Sequence, residues 1–188
     1  MGKATADLKN EHEAILHVFT ILDRMLASTT KSDADNLQFG NELVNFLKIF
    51  ADKCHHGKEE DILFKELENK GVPNEGGPIG AMLEEHKQGR EYIALMNKSL
   101  LSNDLNNFKK AAIKYRDLLR NHIAKENNVL FSMADKLLDD KKQDDLFEKF
   151  EHHEETVVGH GVHEELHSNI HKWEEEYSER LKSQRANN

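Results

Sequence analysis

Two ten-residue stretches of this chain, His55 to Phe64 and His122 to Phe131, superimpose without a gap. Each reads His-x-x-x-Glu and closes on a matching apolar triplet, Ile-Leu-Phe in the first and Val-Leu-Phe in the second. A spacing of four places the imidazole and the carboxylate on one face of a helix, one turn apart, so that both reach the same point in space. His56 with Glu60 has the same spacing, but only His55 with Glu59 superimposes on His122 with Glu126. The chain is therefore expected to contain two helices that each present a histidine and a glutamate to a common level.

The remaining pattern is helical as well. The only prolines, Pro73 and Pro78, lie within the glycine-rich stretch Gly71 to Gly80, which marks the strongest break in the first 140 residues. Before it, Ala4 to about Ala27 places Leu8, Ile15, Phe19 and Leu22 along one face, and Leu37 to Leu67 resumes the pattern after a polar connection from Ser28 to Asn36. After it, Pro78 stands where a first-turn proline is tolerated, Ile79 to Leu101 forms a third helix, and Leu105 to Leu138 a fourth. Strand-like alternation is absent. The predicted fold is all-α: an antiparallel up-and-down four-helix bundle over residues 1–140, followed by a C-terminal helical extension over 141–188. In that extension the run KKQDD reads as a linker, Leu146 to Val158 as helical, and Gly159 and Gly161 as a break before His163 to Leu181. It has too few large apolar residues for a core of its own, so Leu166, Ile170, Trp173 and Tyr177 are expected to pack on the bundle.

The first and third helices carry a matching signal. Asn10-Glu11-His12-Glu13 resembles Glu84-Glu85-His86-Lys87, and both histidines fall among apolar positions. The predicted inventory is four imidazoles, from His12, His55, His86 and His122, and two carboxylates, from Glu59 and Glu126, in pseudo-two-fold array. Burying two carboxylates beside four imidazoles is unfavourable without compensation, and cations supply it. Six donors exceed the four of a structural zinc site and suit a pair of cations. Imidazole and carboxylate without thiolate suit iron, with zinc or manganese also compatible.

Charge and composition exclude other classes. A net charge of -9 and a pI near 5.7, with no Lys/Arg stripe, make nucleic acid a poor partner. No apolar run approaches the roughly 20 residues that cross a bilayer, and the N-terminus lacks the layout of a secretory signal, so no membrane partner and a cytoplasmic location are expected. A single cysteine, Cys54, agrees with a reducing compartment.

His12, His55 to Glu59, His86 and His122 to Glu126, together with the text GxPxxxGPIGxMLxEH at Gly71 to His86, resemble the hemerythrin-like, or HHE cation-binding, family over residues 5–140. The resemblance implies a non-haem di-iron centre bridged by Glu59, Glu126 and an oxo or hydroxo group, with terminal histidines. It also implies binding of O2, NO or peroxide in sensing, storage or stress response. Two other readings accompany it: an enzyme that reduces peroxide or nitric oxide or donates iron for cluster repair, and a metal-dependent sensor or interaction module acting through the C-terminal tail. The chain departs from the oxygen carriers at two places. Arg90 stands where they have a second histidine on the third helix, and His122-x-x-x-Glu126 replaces their His-x-x-x-x-Asp. That leaves a vacancy with three readings: it holds water, it makes the site more reactive toward small molecules, or His56 or His163 from the tail fills it as an additional ligand.

Other residues have plainer readings. Glu11, Glu13, Glu60, Lys58 and Lys125 are expected mostly at the surface, His152 and His153 in solvent, His17 structural or exposed, and Cys54 in packing. Phe19, Phe46, Phe50, Phe64 and Phe131 are expected in the core. His163-Glu164-Glu165-Leu166-His167 matches the zinc-protease pattern H-E-x-x-H, but little chain remains for a third ligand. A docked lid over the bundle end, with His163, His167 and His171 on one face, is the preferred expectation.

Overall fold

A computed structural model describes residues 1–29 and 31–186, with side chains except those of residues 163, 164 and 178–186. Among the described residues the chain forms six helical rods and no strand. The first, α1, is Lys3–Ala27. The second, α2, runs over residues 33–69 and opens with a reciprocal cap, in which Ser32 Oγ accepts from the Asp35 amide and the Asp35 carboxylate accepts from the Ser32 amide. That cap starts α2 four residues before the expected Leu37 and buries Asn36. Next come α3, Pro78–Leu101, with proline in its first turn, and α4 over residues 105–137, capped by Asp104.

The rods α1 to α4 alternate in direction around a common axis, as the short connections require. Two apolar layers fill the interior. One holds Leu8, Phe64, Ile79 and Phe131 near the start of α1, and the other holds Ile15, Phe46, Ile93 and Tyr115 further along. His12, His55, His86 and His122 fall between the two layers on all four rods, so a buried polar layer interrupts an otherwise hydrophobic core. All five phenylalanines expected in the core are buried.

Both rods that carry His-x-x-x-Glu widen into π-type turns at the site. These occupy Leu47–His56, Glu59–Leu63 and Glu126–Leu130. The amides of Phe64 and Phe131 bond the carbonyls of Glu59 and Glu126, five residues back, in the same position of each repeat. Such widened turns are rare and concentrate at functional sites.

The extension differs from expectation at its start. The KKQDD run is no linker: Asp139 caps a helix through the Lys142 amide at 2.9 Å, and α5 covers residues 140–158. Gly159 and Gly161 then break the chain at φ +117° and +75°, before α6, Val162–Ala186. Together α5 and α6 run beside α1 in its own direction, in the groove between α1 and α2. Gln143 meets Gly2, Phe150 and Glu154 meet Lys58, and Glu174 meets His17 and Arg24. Leu166, Ile170, Trp173 and Tyr177 form the buried face of α6, with Trp173 edge-on to Phe39 and Phe46. The tail thus lays two further rods, α5 and α6, along the side of the bundle and is not a lid on its end. His167 lies edge-on to Phe50 at 5.2 Å, His171 is exposed, and the side chain of His163 lies outside the described residues. No helix among the described residues is long and apolar enough to cross a membrane.

Candidate metal centre

The two rods with His-x-x-x-Glu supply four donors, and one histidine each from α1 and α3 completes the six, every one of them essentially inaccessible to solvent. The imidazoles meet in pairs. His12 Nε2 lies 2.8 Å from His55 Nε2, and His86 Nε2 lies 3.0 Å from His122 Nε2. Both carboxylates stand between the pairs. Glu59 Oε2 is 3.6 Å from His55 and 3.5 Å from His86, while Glu126 Oε2 is 3.2 Å from His12 and 3.1 Å from His122.

Each imidazole is anchored through its other nitrogen. His12 Nδ1 donates to Asn127 Oδ1 at 2.9 Å, His55 Nδ1 to Glu11 at 2.9 Å, His86 Nδ1 to Glu60 at 2.7 Å, and His122 Nδ1 to Glu85 at 2.9 Å. With Nδ1 donating to an oxygen acceptor, the proton sits there and the Nε2 lone pair points inward. Two Nε2 lone pairs then face each other in both pairs, and neither oxygen of Glu59 or Glu126 has a well-aligned donor. Such contacts are unfavourable in a dry interior, where almost every buried polar atom is satisfied. They are what neighbouring ligands of one cation require: metal–nitrogen bonds of about 2.0–2.1 Å at right angles put the nitrogens about 2.9 Å apart. The donors therefore fit metal ions, and outer carboxylates that orient ligating imidazoles are the usual companions of such sites.

The electrostatics agree. Burial, reinforced by the Glu126 carboxylate, holds the Glu59 carboxyl well above the ordinary range. Glu126 goes the other way: burial opposes its ionisation, but a protonated His122 and Nε2–H bonds from His122 and His12 outweigh burial and hold it well below the ordinary range, so the inward lone pairs belong to the neutral rings that a cation would meet. Burial and the neighbouring His12 push His55 down to about 4. Without a metal, the polar layer therefore retains protons, and a cation would displace them.

The outer partners were not legible as such, and two expectations about them are corrected. Glu11 and Lys58 are buried, at 4% and 0% exposure, and Glu60 is partly covered, whereas Glu13 and Lys125 are exposed. Glu11 is held down to about 2, because the His55 bond and Lys58 outweigh its burial. His153 is buried as well, not solvated; its Nε2 donates to the Lys53 carbonyl at 3.0 Å, while His152 is exposed. The signal that could have found the partners is the repeat itself. Glu precedes His in both Glu11-His12 and Glu85-His86, and an acceptor follows the inner glutamate in both Glu59-Glu60 and Glu126-Asn127.

A family profile for the hemerythrin HHE cation binding domain matches residues 3–134, more than half of the chain. The chain belongs to the hemerythrin HHE family. Nothing among curated proteins or solved structures matches it. The HHE match ends before α5, so the rods 140–158 and Val162–Ala186 are additional to the matched domain.

Three further residues shape this HHE site. Arg90 reaches over its edge, with Nε donating to Asp52 at 2.7 Å and Nη2 to Glu60 at 2.6 Å. His56, under that clamp, stacks on His86 with ring centroids 3.8 Å apart and approaches Asp52 through Nδ1 at 3.4 Å. It is buried with no partner at Nε2, and it groups with Glu59, His86 and His122 as His12 and His55 group with Glu59 and Glu126. Cys54 is a packing residue: its Sγ contacts Glu11 at 3.7 Å, and burial followed by the Glu11 charge pushes the thiol far above its ordinary range. His17 is a surface group paired with Glu174 at 2.9 Å.

Proposed function

We propose that His12, His55, His86 and His122 are terminal ligands, and Glu59 and Glu126 bridging ligands, of a pair of iron ions that binds O2, NO or peroxide. The observation that carries the reading is the set of four carboxylate oxygens without aligned donors, enclosed by imidazoles whose Nδ1 protons are already committed outward. An all-nitrogen and oxygen donor set with more ligands than a structural zinc site uses suits iron, with zinc or manganese also compatible. His56, with its unpartnered Nε2, is the additional nitrogen ligand, on the side where Arg90 replaces the oxygen carriers' histidine. Bound iron supplies electrons and a coordination position for a small ligand. The protein fixes the donors in place and keeps the layer dry, with Phe131 stacked on His12 and Phe64 on His86.

Metal analysis and visible spectra of anaerobic and aerated protein test the proposal. The expected result is an iron pair per chain with oxo-bridge absorption that Glu59→Ala abolishes. Iron-replete protein with no more iron than that variant overturns it. Turnover of peroxide or NO that disappears in the same variant would make the site an enzyme's. A second reading, as a metal-dependent sensor acting through the tail, is favoured by one contact: Glu154 of α5 pairs with Lys58, which bonds Glu11, the partner of His55.

A further inference from the structure

The internal repeat builds the same chain of contacts twice. In one half Lys125 pairs with Glu85, and Glu85 accepts from His122 Nδ1; in the other Lys58 bonds Glu11 at 3.0 Å, and Glu11 accepts from His55 Nδ1. The two segments align without a gap and set Lys58 opposite Lys125. Their surroundings do not match. Lys125 is 45% exposed at its side chain, whereas Lys58 is fully buried. The ammonium of Lys58 meets three carboxylates, from Asp7, Glu11 and Glu154, and lies 5.5 Å from the centre of the Phe150 ring. Three acceptors match the three protons of an ammonium group, which makes this burial tolerable. Glu154 and Phe150 both come from α5, beyond the matched family domain.

A second difference between the repeats lets α5 approach. Gly57 in the covered half is Ala124 in the open half. A Cβ at Gly57 would stand 2.7 Å from His153 Nε2, inside contact distance, so the close approach of α5 to α2 depends on that glycine. His153 uses the space to bond the Lys53 carbonyl.

We infer that α5 is a positioning element for one half of the metal centre: Glu154 and Phe150 fix Lys58, Lys58 fixes Glu11, and Glu11 fixes the His55 ring. The inference rests on the metal reading proposed above and deepens it. Partners that orient a ligating imidazole are typically worth about 10–100-fold in metal affinity. The position served by His55 therefore gains from α5 a support that the position served by His122, whose outer pair is wetted by solvent, does not share. By thermodynamic reciprocity, metal bound at His55 also tightens the docking of α5.

Full-length protein loaded anaerobically with ferrous iron and mixed with a colorimetric ferrous chelator tests this. The wild type should release iron in two phases of equal amplitude. Glu154→Gln and Lys58→Met should speed the same one of the two phases, by about 10-fold or more, and Lys125→Met should speed only the other. Glu154→Gln is nearly isosteric at a partly exposed position and keeps the test valid if Lys58→Met folds poorly. Hydrogen exchange supplies a readout free of iron kinetics: amides of residues 140–158 should exchange faster in metal-free Glu154→Gln than in metal-free wild type, and loading should slow them only when Lys58 is present. A single release rate from a fully loaded wild type, acceleration of the same phase by Lys58→Met and Lys125→Met, or exchange in α5 indifferent to metal overturns the inference and leaves the metal site standing. A wild type that takes up no iron overturns the metal reading itself, and this inference with it.

Discussion

Glu59→Gln should change stability in opposite directions with and without metal. Glu59 is fully buried, neither oxygen has an aligned donor, and the Glu126 carboxylate faces it. A buried polar group left unsatisfied costs about 1–3 kcal/mol, and glutamine removes the ionisable group while its amide can donate to Glu126. The metal-free variant should therefore be more stable than metal-free wild type by about 1–2 kcal/mol, or roughly 2–8 °C in Tm for a chain of this size. Iron at 100 times its dissociation constant stabilises the wild type by about 2.7 kcal/mol, and the variant should lose most of that gain. The pH dependence has a definite sign. The folded-state pKa of Glu59 is raised above 4.5, so below that value folded and unfolded chains are both protonated and the variant gains nothing. As pH rises past 4.5 the unfolded wild type releases its proton first, the folded state loses ground, and the advantage of the variant widens. Thermal unfolding followed by circular dichroism, with chelator and with ferrous iron, from about pH 4 to about pH 8, a range that starts just below the ordinary glutamate pKa, measures all three effects. A metal-free variant less stable than wild type at neutral pH, or equal stabilisation of both proteins by iron, would show that the cluster is a satisfied polar core and refute the reasoning.

Three other perturbations have defined outcomes. Trp173→Ala removes a side chain that is 1% exposed, packs edge-on to Phe39 and Phe46 and donates to Glu42 at 2.7 Å, so urea unfolding should register a loss of about 3–5 kcal/mol while iron stoichiometry is retained. Glu11, held down to about 2 from 4.5, contributes stability that is complete above pH 4.5 and lost as pH falls toward 2. Glu11→Gln should flatten that acid limb of the urea midpoint, by an amount of the order of 2–3 kcal/mol. Gly57→Ala gains about 1 kcal/mol of helix propensity but displaces His153, so global stability should move little while amide exchange across residues 140–158 accelerates.

The four rods of the bundle were readable because apolar residues recur on one face of each and the only prolines mark the middle break. The buried layer of four imidazoles and two carboxylates was readable because the repeat sets its register. The outer shell was hidden for two reasons. Glu11 and Lys58 are charged residues on helix faces that would be wet if the bundle stood alone; α5 covers them, and nothing in either residue's own neighbourhood announces that. The α5 stripe is itself disguised: its buried positions are Gln143, Leu146, Phe150 and His153, a helical spacing in which two of the four residues are polar. An apolar count therefore reads its start as a linker. The π-type turns at Glu59 and Glu126 likewise follow from packing around the polar layer, and no residue type specifies them.

The internal repeat explains the symmetry of the buried polar layer, and the positions where the two copies differ explain why its halves have different surroundings. Had both halves kept the same residues around His-x-x-x-Glu, two cations would sit in matching surroundings. His56 opposite Ile123 adds an imidazole on the His86 and His122 side, where Arg90 braces Asp52 and Glu60. Gly57 opposite Ala124 admits α5 on the other side, where Lys58 becomes buried. These two adjacent replacements act in opposite directions around α2, one enriching the donor set of one half and the other sealing the second half from water. Apolar layers above and below carry the stability that such a polar layer forgoes. The scaffold can therefore keep two carboxylates in the dry interior without satisfied hydrogen bonds, and that standing imbalance is what gives a cation its reason to bind there.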